Sequence, residues 1–544
     1  MINNFFLFSD NPNEGTDNAM TPEVMGFKAY NLMRLSKIGL PVPPGFVIPT
    51  KICHEYYYNN KHFPLNFNIS LQQNIQKLEQ ITGLTFGGSR KPLLVSVRSG
   101  AAVSMPGMMN TILNVGLSHI TIEGLLRMTG NPRFIWDLYR RFIQNFAEVV
   151  YNCHLDKFNN LLVKYLKEGD LDEESDLDVE MLKKIVNDYL EIFEEQTGVQ
   201  FPQQPIEQLQ KAIKGIFFSW QSPRCMEYRK IHNIGNLLGT AATVQAMVFG
   251  NMGITSGAGV AFTRNPSSGE NKLYGEFLFN TQGEDIVSGR RTPQGLERLG
   301  ELLPNIRRQL NTIAKRLEIE FTDMQDFEFT VQEGNLFILQ TRNGKRTPWA
   351  ALQIVFDMVQ EGLVSKDIAL NRLKEYNLQS IKRTKILSNQ DDTSQYNTFI
   401  GFGLPASPGI AIGKIVFNSK KAKELTLTGE STILICHDIS TEDIGGIAVC
   451  EGILTKMGGK TSHASVVSRQ MNKVCIVGCT SLKIDTDNKR CTIGNSILYE
   501  SDYISLDGNT GKIYNGKISF EIEKPEKILS AIQQWKEDYD PSSK

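Results

Sequence analysis

Apolar and polar positions divide the chain into short apolar runs and amphipathic stretches. Residues 5–8 (FFLF) are four consecutive apolar residues, the pattern of a short first strand. In TPEVMGFKAYNLMRLSKIGLPVPPGFVIPT (21–50), Phe27, Leu32, Leu35 and Ile38 share one helix face, and Gly39 stops the helix. The proline-rich PVPPGF then leads into a strand-like FVIPT. Residues 93–97 read as a buried strand running into a loop rich in Gly, Ser and Ala. From 120 to 230 the period is helical, clearest in FIWDLYRRFIQNFAEVV and MLKKIVNDYLEIFEEQ, with a solvated acidic loop EGDLDEESDLD between them. Residues 239–262 hold two β-like runs around glycine-rich turns. Alternation on either side of Glu333–Gly334 predicts a hairpin over 326–342. Residues 346–399 read as a helical linker ending in the polar SNQDDTSQYN, of hinge-like composition. Residues 400–517 form a second compact region, with a strand at 474–477 and a terminal hairpin in DYISLDGNTGKIYNG. Residues 518–544 read as one charged amphipathic helix and a polar tail.

Length and composition narrow the class. A chain of 544 residues accommodates two to four domains, and 41% apolar with 22% charged residues is ordinary for a globular protein. A net charge of −1 gives no global electrostatic case for nucleic acid or a membrane surface as partner. No apolar stretch approaches the length of a membrane span, and MINNFFLFSD lacks the basic lead and long apolar core of a secretory leader. Eight scattered cysteines without CxxC suggest reduced thiols and a cytoplasmic setting; a secreted protein without a classical leader has the same composition.

The candidate chemistry centres on GGKTSHASVVSRQMNKVCIVGC (458–479). Gly458 and Gly459 make a turn that allows close backbone approach, and Thr461 and Ser462 are N-cap types that place His463 in a helix's first turn. Free backbone N–H groups and the positive end of the helix dipole suit a phosphoryl group there; the plainer reading is an exposed helix-start residue. Lys28, at another helix start, reads either as a phosphate-binding ammonium or as a solvated lysine. Arg98 ends a strand before a loop of backbone donors, where a guanidinium can clamp phosphate. The loop is not a Walker loop, since GxxxxGK[ST] is missing from it. In the 326–342 hairpin, Asp326 and Glu328 oppose Gln340 and Arg342, an unusual polar face for a core hairpin. These oxygens suit Mg2+, which takes carboxylates together with nucleotide phosphates, and Arg342 would bind phosphate beside it.

GG-x-TSHA-x-VV-x-R followed by an apolar strand resembles the phosphohistidine motif of the phosphoenolpyruvate-utilising enzymes, most closely that of the pyruvate phosphate dikinase family. VSVRSGA, SMPGMM, WDLYRRF, TRNPSSGE, LPASPG and LDGNTGKI extend the resemblance over nearly the whole chain. It implies an α/β and α+β multidomain fold: an ATP-grasp-type nucleotide-binding domain over 1–345 with a helical subdomain at about 120–230, a linker over 346–399, a swivelling β/β/α phosphohistidine domain over 400–517, and a C-terminal linker helix and tail over 518–544. It further implies that His463 carries the phosphoryl group and that Lys28, Arg98 and Arg342 bind nucleotide phosphates. Gln245, Met247 and Val248 fall on the strand lining the adenine pocket. Glu328 and Gln340 fall on the Mg2+ ligands, with Asp326 supporting. Arg140 or Arg141 would reach nucleotide phosphates, or else form surface ion pairs. Thr461 matches a threonine that some relatives phosphorylate, although a helix cap accounts for it more simply.

The implied activity is a dikinase half-reaction in which ATP and inorganic phosphate yield AMP, pyrophosphate and phosphohistidine. The family's large barrel for phosphoenolpyruvate and pyruvate has no counterpart in this sequence, so the phosphoryl group would pass to a separate barrel subunit, to another protein or small-molecule acceptor, or to water. Two other readings are a fragment of a full dikinase and an inactive nucleotide-binding regulatory protein. Departures from the family pattern motivate the latter: Phe27 and Ala29 stand for glycines, Asn110 for aspartate, Met457 and Cys436 for arginines, and Lys460 for methionine.

Overall fold

The computed structural model describes residues 5–9, 20–103, 105, 109–171, 173–231, 233–287, 293–386, 399–439, 444–460 and 462–539. It is a mixed α/β, multidomain architecture in two compact units. One comprises Met1–Met252 with Phe337–Thr341; the other comprises Gly253–Leu336 with Arg342–Lys544. The division falls inside the stretch that the sequence presents as one nucleotide-binding domain.

The first unit is built on strands β1 (Phe6–Phe8), β2 (Gly45–Ile48), β3 (Val95–Gly100), β4 (Thr111–Val115) and β5 (Ala241–Ala246), in the order β1-β2-β5-β3-β4. Every neighbouring pair is antiparallel. Helix α1 (Phe27–Lys37) forms where the apolar face predicts it, and Gly39 beyond it has φ +65°. The helical stretch expected at 120–230 is present. Its longest helix, Pro132–Tyr151, opens on Asn131, whose side chain accepts from the Phe134 N–H, with proline at the first turn. Phe142, Phe146, Phe193 and Phe201 meet edge to face in its core.

A second five-stranded sheet comprises β6 (Gly257–Phe262), β7 (Tyr274–Phe279), β8 (Gln294–Gly295), β9 (Gln325–Gln332) and β10 (Asn335–Asn343), in the order β8-β7-β6-β9-β10; its first four strands belong to the second unit. The two β-like runs of 239–262 therefore belong to different sheets. The expected hairpin forms: β9 and β10 are joined at Glu333 (φ +48°) and Gly334 (φ +78°). Behind this sheet Arg264, fully buried, bonds the carboxylates of Glu318 and Glu361.

Residues 346–399 are more than a linker. Helices Pro348–Gln360 and Lys366–Leu373 share one apolar cluster with Glu526–Tyr539, and Phe356 stacks on Trp535 at 6.0 Å. Strand Arg383–Ile386 pairs antiparallel with Phe520–Glu523. The 518–544 segment is thus a strand followed by a helix, because Arg383 and Lys385 both pair with Glu523. SNQDDTSQYN and the polar tail after 539 lie outside the described residues.

An eight-stranded sheet holds the candidate histidine. Its strands are β11 (Phe399–Phe402), β12 (Leu404–Ser407), β13 (Ile410–Val416), β14 (Thr432–Cys436), β15 (Gly452–Thr455), β16 (Val474–Val477), β17 (Tyr503–Asp507) and β18 (Lys512–Asn515). The order is β11-β18-β17-β13-β14-β15-β16-β12, with β13 to β16 consecutive and parallel. Side chains alternate between two buried clusters, Ile433 and Ile435 in one and Leu434 in the other, as expected of parallel strands covered on both faces. All eight cysteines are unbridged. Among the described residues, no helix is long and apolar enough to cross a membrane.

Candidate functional site

His463 is the first residue of helix α2 (His463–Gln470), the crossover between parallel strands β15 and β16. It therefore lies beyond the carboxyl end of a parallel strand, where helix N–H groups face outward and α/β sheets bind anionic ligands. Ser462 is the extended N-cap (φ −61°, ψ 163°), as the motif predicts. Its N–H bonds the Gly459 carbonyl at 3.1 Å, the Ser465 hydroxyl donates to the same carbonyl at 2.6 Å, and Gly458 turns at φ +101°. The loop is thus fixed by its own serines. Thr461 and the imidazole of His463 lie outside the described residues.

Below this loop Arg469 is almost fully buried and donates to the carbonyls of Lys460 (2.9 Å) and Ala406 (2.7 Å). Burial pulls its guanidinium down from the ordinary value, against the attraction of Tyr274, Glu276 and Asp326. Glu276, on β7, accepts the Lys460 N–H.

In the first unit, Lys28 occupies the first turn of α1 and is half-buried. That turn is seated on the loop after β3: the Phe27 N–H donates to the Ala101 carbonyl at 2.8 Å. Gly26 (φ +76°) caps the helix so close to Gly100 that a Cβ would fall 2.2 Å from its carbonyl oxygen. Arg98 donates from Nη1 to the Leu339 carbonyl at 3.2 Å, and Asn31 of α1 donates to the Thr341 carbonyl at 3.0 Å. Lys28's helix, Arg98's strand and the segment carrying Gln340 are consequently bonded together. Ala29, in a glycine position of the family, is fully buried. Gln245 is buried as well, its amide donating to the Pro43 carbonyl at 2.9 Å, so the side chain braces the proline-rich segment. Met247 and Val248 are half-buried, and the Met247 N–H bonds Leu94.

Two expectations change in the helical region. Arg140 is 2% exposed and donates to Asp137 and Glu174, which makes it an internal cross-link and neither a phosphate arm nor a surface ion pair. Its pairing also gives the acidic loop a structural job through Glu174. Arg141 pairs with Asp137 at 2.9 Å.

In the second unit, Asp326 is 4% exposed and accepts from Arg342 Nε at 2.8 Å. Burial pushes the Asp326 carboxyl up from its ordinary value, and Arg342 opposes that shift. Glu328, two residues along the same strand, is half-buried, as is Gln340 in the first unit. Among the described residues no cluster of three or more His, Cys, Asp or Glu side chains could hold a metal alone. A carboxylate and an amide carbonyl are each of the oxygen-donor type that Mg2+ takes.

Sequence patterns missed Gly26 and Glu276, and although Arg469 closes the GG-x-TSHA-x-VV-x-R motif, they gave it no role. The glycine before FKAY was visible, but its neighbour Gly100 is distant in sequence. Glu276 sits in an apolar strand, LYGEFLF, where a lone carboxylate among apolar residues was the available signal; the structure buries it to 2% exposure.

Residues 60–309 and 302–363 match the pyruvate phosphate dikinase AMP/ATP-binding domain, and 428–511 match the mobile domain of PEP-utilising enzymes. Similar proteins include pyruvate, phosphate dikinase of Clostridium symbiosum, 44% identical over 519 residues, covering 95% of this chain and 59% of that protein. The Rickettsia conorii protein of the same name is 44% identical over 518 residues, covering 94% of this chain and 58% of that protein. Pyruvate, phosphate dikinase 2 of Zea mays is 41% identical over 533 residues, covering 98% of this chain and 60% of that protein. The chain spans somewhat under two thirds of the length of these relatives. With an AMP/ATP-binding domain followed by a mobile PEP-utiliser domain, this chain belongs to the pyruvate phosphate dikinase family.

Proposed function

We propose that the chain is an ATP-dependent phosphotransferase that phosphorylates its own His463 and hands the phosphoryl group to a separate acceptor. The observation that carries this reading is the position of His463 at the first turn of a crossover helix beyond strand β15, in a loop fixed from both sides of the Lys460 peptide. A neutral imidazole there can attack the β-phosphorus of ATP, the bond to the α,β-bridging oxygen breaking as AMP leaves. Inorganic phosphate takes the terminal phosphoryl group as pyrophosphate, and one phosphoryl remains on the histidine.

The remaining residues act by positioning and charge neutralisation. Lys28, Arg98 and Arg342 hold the phosphates, with Arg342 kept in place by Asp326. The strand end at Met247 and Val248 borders the adenine, and Gln245 supports it from the core. Glu328 and Gln340 would hold Mg2+, which when bound would neutralise phosphate charge. Motion of the 400–517 domain would carry the phosphoryl group from the nucleotide to the acceptor.

The test is labelling with ATP carrying radiophosphorus at the β position, with Mg2+, with and without phosphate, resolved under alkaline conditions that preserve phosphohistidine. Retained label in the intact protein, lost in His463→Ala, is the expected result. ATP binding without label would leave a nucleotide-binding regulatory protein in place of the enzyme.

A further inference from the structure

We propose that Lys460 is a positioning residue that clamps the His463 loop onto strand β7 through its backbone and its ammonium together. The proposal rests on His463 being the phosphoryl carrier. Three residues before His463, the Lys460 N–H donates to Glu276, and its carbonyl accepts from the buried Arg469 at 2.9 Å. The same residue's Nζ lies 4.8 Å from the centroid of the Tyr274 ring, two residues from Glu276 on β7. The Tyr274 hydroxyl in turn donates to the Pro405 carbonyl at 3.3 Å, beside the Ala406 carbonyl that Arg469 holds.

The fit is close enough to be selective. A Cβ on Gly459 would fall 2.5 Å from Pro293 Cγ and 2.6 Å from a Glu276 carboxylate oxygen, so this backbone rests directly on its neighbours. Arg469 lies 5.8 Å from the Phe262 ring of β6, and among the described residues its Nε and Nη2 have no hydrogen-bond partner. The contacts of Lys460 and Gly459 with Glu276, of Lys460 with Tyr274, of Tyr274 with Pro405 and of Arg469 with Phe262 join the histidine helix, its loop and strand β12 to the β6–β7 face. Where the family pattern has methionine, lysine places a cation over the electron-rich face of an aromatic ring. That contact acts on the loop's docking and leaves the reacting atoms untouched. Lysine here therefore strengthens the docked arrangement.

The test compares Lys460→Met, Lys460→Arg and Tyr274→Leu with the unaltered chain. Amide hydrogen exchange over 456–466, without nucleotide, reads the clamp directly. Lys460→Met and Tyr274→Leu are expected to speed exchange about three- to thirtyfold, the range of a cation–ring contact. Lys460→Arg retains the cation and is expected to exchange at the original rate. In single-turnover labelling from β-labelled ATP, Lys460→Met should slow phosphohistidine formation by a similar factor, with the half-saturating ATP concentration unchanged and Lys460→Arg restoring the rate. Unchanged exchange in Lys460→Met, or equal losses in the Met and Arg variants, would overturn the proposal. If the unaltered chain takes up no label, the phosphoryl-carrier reading fails separately and the exchange measurement alone decides the clamp.

Discussion

One hydrogen atom decides how helix α1 begins. At Gly26 the backbone has φ +76° and ψ 148°, a region almost reserved for glycine, and Gly100 stands where a Cβ would go. Gly26→Ala combines backbone strain with overpacking and is expected to cost roughly 2–5 kcal/mol in urea unfolding. Because the same turn carries Lys28, ATP affinity should fall with it, read by titration calorimetry. An alanine variant as stable as the parent would remove the argument. The residue scale is also where sequence reading was most uneven. Lys28, Arg98 and the Ser462–His463 helix start follow from local pattern, since caps and glycines act within a few residues. Arg140 does not: Asp137 is three residues away on the same helix, but the second carboxylate, Glu174, comes from a distant loop, and that contact buries the guanidinium.

Elements follow the same rule of distance. The β9–β10 hairpin was legible because its turn, Glu333–Gly334, is local and needs positive φ at both residues. The pairing of Arg383–Ile386 with Phe520–Glu523 was not, because a two-stranded ribbon has little pattern of its own and its halves are far apart in sequence. Charge makes that ribbon testable. Hydrogen bonds from Arg383 and then Lys385 depress the Glu523 carboxyl from 4.5 to about 2. A depressed folded value means that the stabilisation is present above pH 4.5 and is lost as pH falls through that value toward 2. The side chain is partly exposed, so solvent screening limits the effect to under about 1 kcal/mol. Urea midpoints of the parent and Glu523→Gln should therefore differ at neutral pH, draw together as pH falls below 4.5, and coincide only once pH has dropped below about 2. A gap that persists at the acid end would exclude the ion pairs as its source.

At the scale of the whole molecule, the chain leaves the first unit at Met252 and returns to it only for Phe337–Thr341. No sequence pattern announces such a return, since those five residues look like any hairpin strand. They supply the Ile338 N–H to Pro41 and the Leu339 and Thr341 carbonyls to Arg98 and Asn31. Residues 1–252 expressed alone lose all three bonds and leave the Asn31 amide buried without its acceptor. Unfolding should then come at least about 1–3 kcal/mol more easily, and a synthetic peptide spanning 335–343 added in trans should raise the melting temperature. A melting temperature indifferent to the peptide would show that the segment adds nothing to this unit.

The strand order of the eight-stranded sheet has a consequence for synthesis. β11 pairs with β18, and β13 with β17, so strands made early wait for partners near residue 515. Arg383–Ile386 waits longer, for Phe520–Glu523. At ribosomal rates of ~5–20 residues per second, the nascent chain carries unpaired strand edges for on the order of ten seconds. During that interval the growing polypeptide is a natural client for chaperones, and slowed translation through 480–515 would prolong its exposure to aggregation.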